Sequence, residues 1–151
     1  MRYGWSLDPG IWETAKDILD SDGWNFCKFI ADSKEIVPPA RGIYILVSSP
    51  PDERQTALSP LMKKLSSPIY VGHSINLRRR FSDHISFKDG SIANSIKPLW
   101  RSTHFWFHEM AENREMLRSH EQSLIDVFGP PANRINSQVL RGTEITGKFE
   151  S

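Results

Sequence analysis

Residues 68–84, Pro-Ile-Tyr-Val-Gly-His-Ser-Ile-Asn-Leu-Arg-Arg-Arg-Phe-Ser-Asp-His, constrain this chain more than any other stretch. A short apolar run passes through a glycine into a polar segment in which Leu77, Phe81 and Ile85 recur every fourth position. That pattern is a strand feeding directly into an amphipathic helix, with a strand over 69–72 and a helix over 76–86. Upstream, Gly42-Ile43-Tyr44 opens a β-branched and aromatic run over 42–47, a second strand best paired antiparallel with the first.

The flanking segments complete the fold class. Residues 103–108 alternate, with Phe105 and Phe107 on one face and His104, Trp106 and His108 on the other, as a third strand requires. A helix over 112–128 stops at Gly129-Pro130-Pro131. Over 11–19, Trp12, Ala15, Ile18 and Leu19 fall at helical spacing behind the start signal Asp8-Pro9. Asp22 is expected to cap a second helix carrying Trp24, Cys27 and Ile30. The expected architecture is α+β: a small, mainly antiparallel three-stranded sheet flanked by helices. A helical N-terminal extension over 1–40 would pack on a main domain over 41–151. Residues 48–67, with Pro50, Pro51 and Pro60, read as an inserted loop with one helical turn around 61–65. The tail over 138–151 has little pattern.

Composition bounds the function. At 151 residues, 38% apolar and 25% charged, the chain has the make-up of one soluble globular domain. Cys27 is the only cysteine, which excludes an intramolecular disulfide and a cysteine-rich zinc site. Residues 1–8 lack the basic-then-apolar pattern of a signal peptide, and the longest apolar run, 43–47, is far too short to cross a bilayer. A cytoplasmic protein with no membrane partner is expected. The net charge of +1 is unevenly spread: residues 1–40 carry −3 and the remainder +4. Lys63, Lys64 and Arg78 to Arg80 concentrate the positive charge; such runs are ordinarily solvated faces, but these accompany the candidate site.

Glu121 is the most informative single residue. Leu117, Leu124, Ile125 and Phe128 place it on the core-facing stripe of its helix. Burying an unpartnered carboxylate is costly, and a hard divalent cation would compensate it. The alternative is a glutamate at the stripe edge, reaching solvent or paired with Arg118 or Arg80. Arg80 and His84 lie one turn apart on one helix face, suited to holding a phosphate and relaying a proton. Tyr44 and Tyr70 are ordinary strand residues by propensity. Asn133 follows a Pro-Pro turn, from which its amide could bridge site elements or cap the loop. His73 and Ser74 follow the strand and are placed to hydrogen-bond a phosphate; Ser74 is alternatively the helix cap. His104 and His108 lack a third metal-ligand partner at recognisable spacing and read as structural or substrate-facing.

These same residues carry a family resemblance. Gly42-Ile43-Tyr44 and Tyr70-Val71-Gly72 resemble the paired signature of the GIY-YIG nuclease superfamily. Arg80 and His84 follow in the pattern Tyr-Val-Gly-x-Ser-x-x-Leu-x-x-Arg-x-x-x-His, and Glu121 and Asn133 resemble the family's glutamate and terminal asparagine. The resemblance covers about residues 41–136. It departs from the family in the long connection between Tyr44 and Tyr70, which bears on substrate choice.

The resemblance implies a metal-dependent endonuclease that hydrolyses phosphodiester bonds in DNA, with RNA as an open alternative. It implies Mg²⁺ or Mn²⁺ on Glu121, Arg80 on the phosphate, and Tyr44 as base or relay. Tyr70 would orient by hydrogen bonding, with His84 and Asn133 assisting. His73, Ser74, Arg78, Arg79, Lys63 and Lys64 would contact nucleic acid. A homodimer would serve double-strand cleavage. The rival readings are a non-cleaving nucleic-acid-binding module and a protein-interaction or inhibitor domain.

Overall fold

The computed structural model describes residues 4–48, 67–86 and 103–133. Helix α1 (Pro9–Leu19) leads into strand β1 (Trp24–Lys28), a 3-10 segment (Ala31–Ile36) and strand β2 (Gly42–Ser48). Strand β3 (Ser67–Ser74), helix α2 (Leu77–Ile85), strand β4 (Thr103–Glu109) and helix α3 (Arg114–Phe128) follow. The strands form one sheet in the order β1-β4-β2-β3, and every neighbouring pair is antiparallel.

One expectation is corrected. The segment after Asp22 is not a helix but β1, so the sheet has four strands rather than three. Trp24, Cys27 and Ile30 do fall at helical spacing, but Trp24 and Phe26 also alternate with period two. Pairing with β4, from Trp24↔His108 to Lys28↔His104, satisfies backbone groups on one edge and turns Cys27 into the core. Burial pushes the Cys27 thiol up to a pKa of about 11.

Period-two alternation divides the core between the two sheet faces. Tyr44, Leu46, Phe105 and Phe107 meet Phe29, Leu77 and Phe81 on the side of α2. Ile43, Ile45 and Val71 meet Ala15 and Ile18 of α1 and Leu117, Leu124 and Val127 of α3 on the other. The α2 face is thus aromatic and the α1/α3 face aliphatic.

Helix ends follow their local chemistry. Asp8 caps α1 through Gly10 N–H, and Asn113 caps α3 through Met116 N–H, so α3 begins two residues later than its periodicity suggests. Asn76, not Ser74, caps α2, its Oδ1 accepting from Arg79 N–H at 3.0 Å. Gly129 ends α3 with φ 53°, a left-handed conformation that glycine adopts without Cβ strain. The N-terminal segment packs on that end of α3. Ser6 N–H donates to the Val127 carbonyl at 2.7 Å, and the Trp5, Trp12 and Phe128 rings meet edge-on. Among the described residues, no helix is long and apolar enough to cross a membrane. The expected helical turn around 61–65, Lys63, Lys64 and the tail over 138–151 lie outside the described residues.

Candidate active site at the β3 edge

Tyr44 sits at the centre of β2, paired with Gly72 of β3 and Phe107 of β4, and its side chain is fully buried. Its ring stacks on Phe105 at 5.1 Å between centroids, and this packing fixes where the hydroxyl ends. That hydroxyl lies 2.8 Å from His84 Nε2 and accepts from Arg80 Nε at 3.3 Å. One phenol therefore joins two α2 side chains that stand one turn apart. Gly72 makes room for it: a Cβ there would lie 2.4 Å from the Tyr44 hydroxyl oxygen.

Tyr70 completes this group. Its ring centroid lies 6.0 Å from that of Tyr44 and 5.8 Å from that of His84. Burial, reinforced by the neighbouring Tyr70, holds the Tyr44 phenol well above its usual pKa despite Arg80 nearby. Tyr70 is raised too, by burial and then by the Glu121 carboxylate, against the opposing pull of Arg80. Burial works against the charge of Arg80, but its contacts with Tyr44 and then Tyr70 outweigh this and hold the guanidinium protonated. The resting site is thus two neutral phenols around a fixed cation.

Glu121 reaches the same edge of the sheet from α3. It is half-buried on the helix, with Leu117 and Leu124 beneath it in the core. Its partner is neither Arg118 nor Arg80 but His73, whose Nδ1 meets Glu121 Oε2. Sequence distance hid this contact. The signal for it was period two: His73 lies two residues beyond Val71, so both point toward α3.

Asn133 bonds to main chain. Its Oδ1 accepts from Val71 N–H and its Nδ2 donates to the Val71 carbonyl, both at 2.8 Å. As β3 is an edge strand, these backbone groups face away from β2, and the amide satisfies both as a further strand would. The segment after α3 is thereby tied to the strand between Tyr70 and Gly72. Ser74 Oγ also bonds to main chain, but locally, accepting from Asn76 N–H at 3.0 Å and donating to the Asn76 carbonyl at 2.9 Å.

The basic residues divide. Arg78 is engaged within the protein, its Nε donating to the Val37 carbonyl at 2.7 Å and its Nη2 to the Glu35 carbonyl at 3.3 Å. Arg79 is exposed. His108 contacts Ser21 Oγ and packs edge-on to Trp24, while His104 lies beside Phe26; β4 adjoins β2, but both histidines alternate with Phe105 and Phe107 and so lie on the sheet face opposite Tyr44.

Tyr44, Tyr70, Arg80 and His84 thus gather from β2, β3 and α2 on one face of the sheet, and Glu121 lies at the same edge on the α3 side, near enough for its charge to act on Tyr70. The family model for the GIY-YIG catalytic domain matches residues 41–136, well over half of the chain. The chain belongs to the GIY-YIG family. Neither a curated protein nor a solved structure matches it significantly. GIY-YIG domains are typically endonuclease domains that act on nucleic acid with a divalent metal ion, and the antiparallel sheet flanked by helices is their fold. The N-terminal helix α1 is an addition to that fold, preceding the matched residues.

Proposed function

We propose that this GIY-YIG protein is a metal-dependent endonuclease that hydrolyses phosphodiester bonds in DNA. The observation that carries the reading is the buried Tyr44 hydroxyl, held between His84 and Arg80 beside Tyr70. Packing alone does not require a buried phenol linked to both an imidazole and a guanidinium. That combination suits proton relay beside a bound phosphate.

The donor set fits a hard divalent cation. Among the described residues there is no group of three or more His, Cys, Asp or Glu side chains that could enclose a metal. Glu121 is a half-buried carboxylate at an open edge, which suits an ion such as Mg²⁺ or Mn²⁺ that retains several waters. When bound, such a cation lowers the pKa of its water and neutralises charge on the phosphate oxygens.

The chain's own residues supply the rest. The fixed charge of Arg80 binds the phosphate and its developing negative charge. Tyr44 remains a neutral phenol in the resting site, so it acts as a relay, passing a proton toward His84. Tyr70, between Arg80 and Glu121, orients the attacking water by hydrogen bonding. Asn133 holds β3 in place, and Arg79, Lys63 and Lys64 supply charge for the nucleic-acid backbone. Arg78 is left out of that surface because its guanidinium is spent on Glu35 and Val37. One such site cuts one strand, so double-strand cleavage takes a dimer or two successive encounters. A reducing, cytoplasmic setting accords with the single buried thiol.

The test is cleavage of supercoiled plasmid by wild type and Glu121→Ala, with Mg²⁺, Mn²⁺ or EDTA. Nicking by wild type alone, abolished by EDTA, is expected. Equal nicking by both proteins, or by neither on plasmid, single-stranded DNA and RNA, would overturn the reading.

A further inference from the structure

His73 and Glu121 bring an imidazole nitrogen and a carboxylate oxygen to one point at the β3 edge. Both side chains are mostly but not wholly buried, at 20% and 17% exposure. Each comes from a rigid element. His73 is held in β3 by its register with Ile43 of β2, and Glu121 stands in the middle of α3 over Leu117 and Leu124. Asn133 fixes the same strand two residues before His73. The separation of the two donors is therefore set by the packing of α3 on the sheet, not by a loop.

Nδ1 is the ring atom turned to the carboxylate and shares a proton with Oε2; a cation that displaces this proton meets one nitrogen lone pair beside a carboxylate oxygen. Two different donor atoms converging at a solvent-reached edge supply two positions of an octahedral shell, with water completing it. We infer that His73 is a second protein ligand, beside Glu121, for the divalent cation of this site. The inference rests on the metal-dependent reading above and adds a ligand to it. A mixed nitrogen and oxygen pair changes the ion preference. Mg²⁺ favours oxygen donors and an octahedral water shell, whereas Mn²⁺ accepts imidazole more readily, so His73 tilts the site toward Mn²⁺.

The test uses Mn²⁺ alone, without nucleic acid, on the full chain. Free Mn²⁺ is counted by its aqueous electron-paramagnetic-resonance signal, and bound Mn²⁺ is probed by pulsed measurement of nitrogen modulation. Wild type should bind the ion and show coupling to one imidazole nitrogen. His73→Gln and His73→Asn should lose that coupling and weaken Mn²⁺ binding about tenfold or more, with a smaller loss for Mg²⁺. Circular dichroism and thermal melting check that at least one variant is folded. Bound Mn²⁺ without nitrogen coupling in wild type would overturn the inference and leave the metal-dependent reading standing. So would coupling that persists in a folded variant. Failure of wild type to bind Mn²⁺ at all would remove both.

Discussion

The hydroxyl of Tyr44 stands 2.8 Å from Nε2 of His84, forty residues away in the chain, and both side chains are almost wholly shielded from solvent. Arg80 reaches the same oxygen. Tyr44→Phe keeps the ring that stacks on Phe105 and removes only this junction. Losing a proton relay should lower cleavage by about 10²-fold or more. Leaving the imidazole and guanidinium without that oxygen should destabilise the fold by about 1–3 kcal/mol. Plasmid cleavage rates and urea denaturation measure the two effects separately.

Gly72 is small because Tyr44 is large. Its added Cβ would also lie 2.5 Å from Tyr44 Cζ, so the ring as well as the hydroxyl must move. Gly72→Ala should cost about 1–3 kcal/mol by overpacking. It should also reduce activity, because the displaced hydroxyl no longer meets His84 and Arg80. Denaturation midpoints and cleavage assays on the same preparation check both.

Asn133→Ala strips the buried Val71 of two hydrogen bonds on the outer side of β3. The expected loss of stability is about 1–3 kcal/mol. Amide exchange at Val71 should accelerate beyond what the global change explains, because the effect is local to β3. Exchange as slow as in wild type would show that the amide does not hold this strand.

Alkaline stability follows from the two phenols. Tyr44 and Tyr70 hold their protons more tightly when folded, so their contribution is fully present below the ordinary tyrosine pKa of about 10. It is lost as pH rises from there through the folded values, because the unfolded chain ionises first. Stability attributable to these groups should therefore be flat through neutral pH and fall above about pH 10. Absorbance near 295 nm should show these two tyrosines ionising only as the protein unfolds, and Tyr44→Phe should soften the alkaline decline.

Much of the fold was legible because local pattern and tertiary demand agree. The period of four in Leu77, Phe81 and Ile85, the alternation through Phe105 and Phe107, and the start at Asp8-Pro9 all survive packing unchanged. The segment after Asp22 did not follow its helical spacing. A five-residue run such as Trp24–Lys28 carries too few apolar positions to separate period two from period 3.6, and pairing with β4 decided it.

The sequence by itself determined the inventory of the site and its order along the chain: two strand tyrosines, a helical arginine and histidine, a glutamate on an apolar stripe and a late asparagine. Those are properties of spacing within single elements. Only the tertiary structure decided who touches whom. It turned His73 from a phosphate contact into the partner of Glu121, spent Arg78 on Glu35 and Val37, and made Asn133 a surrogate strand for Val71. The physical reason is that each contact joins elements about forty or more residues apart. Their meeting is set by sheet register and by helices packing on the two faces, and neither leaves a trace in local periodicity.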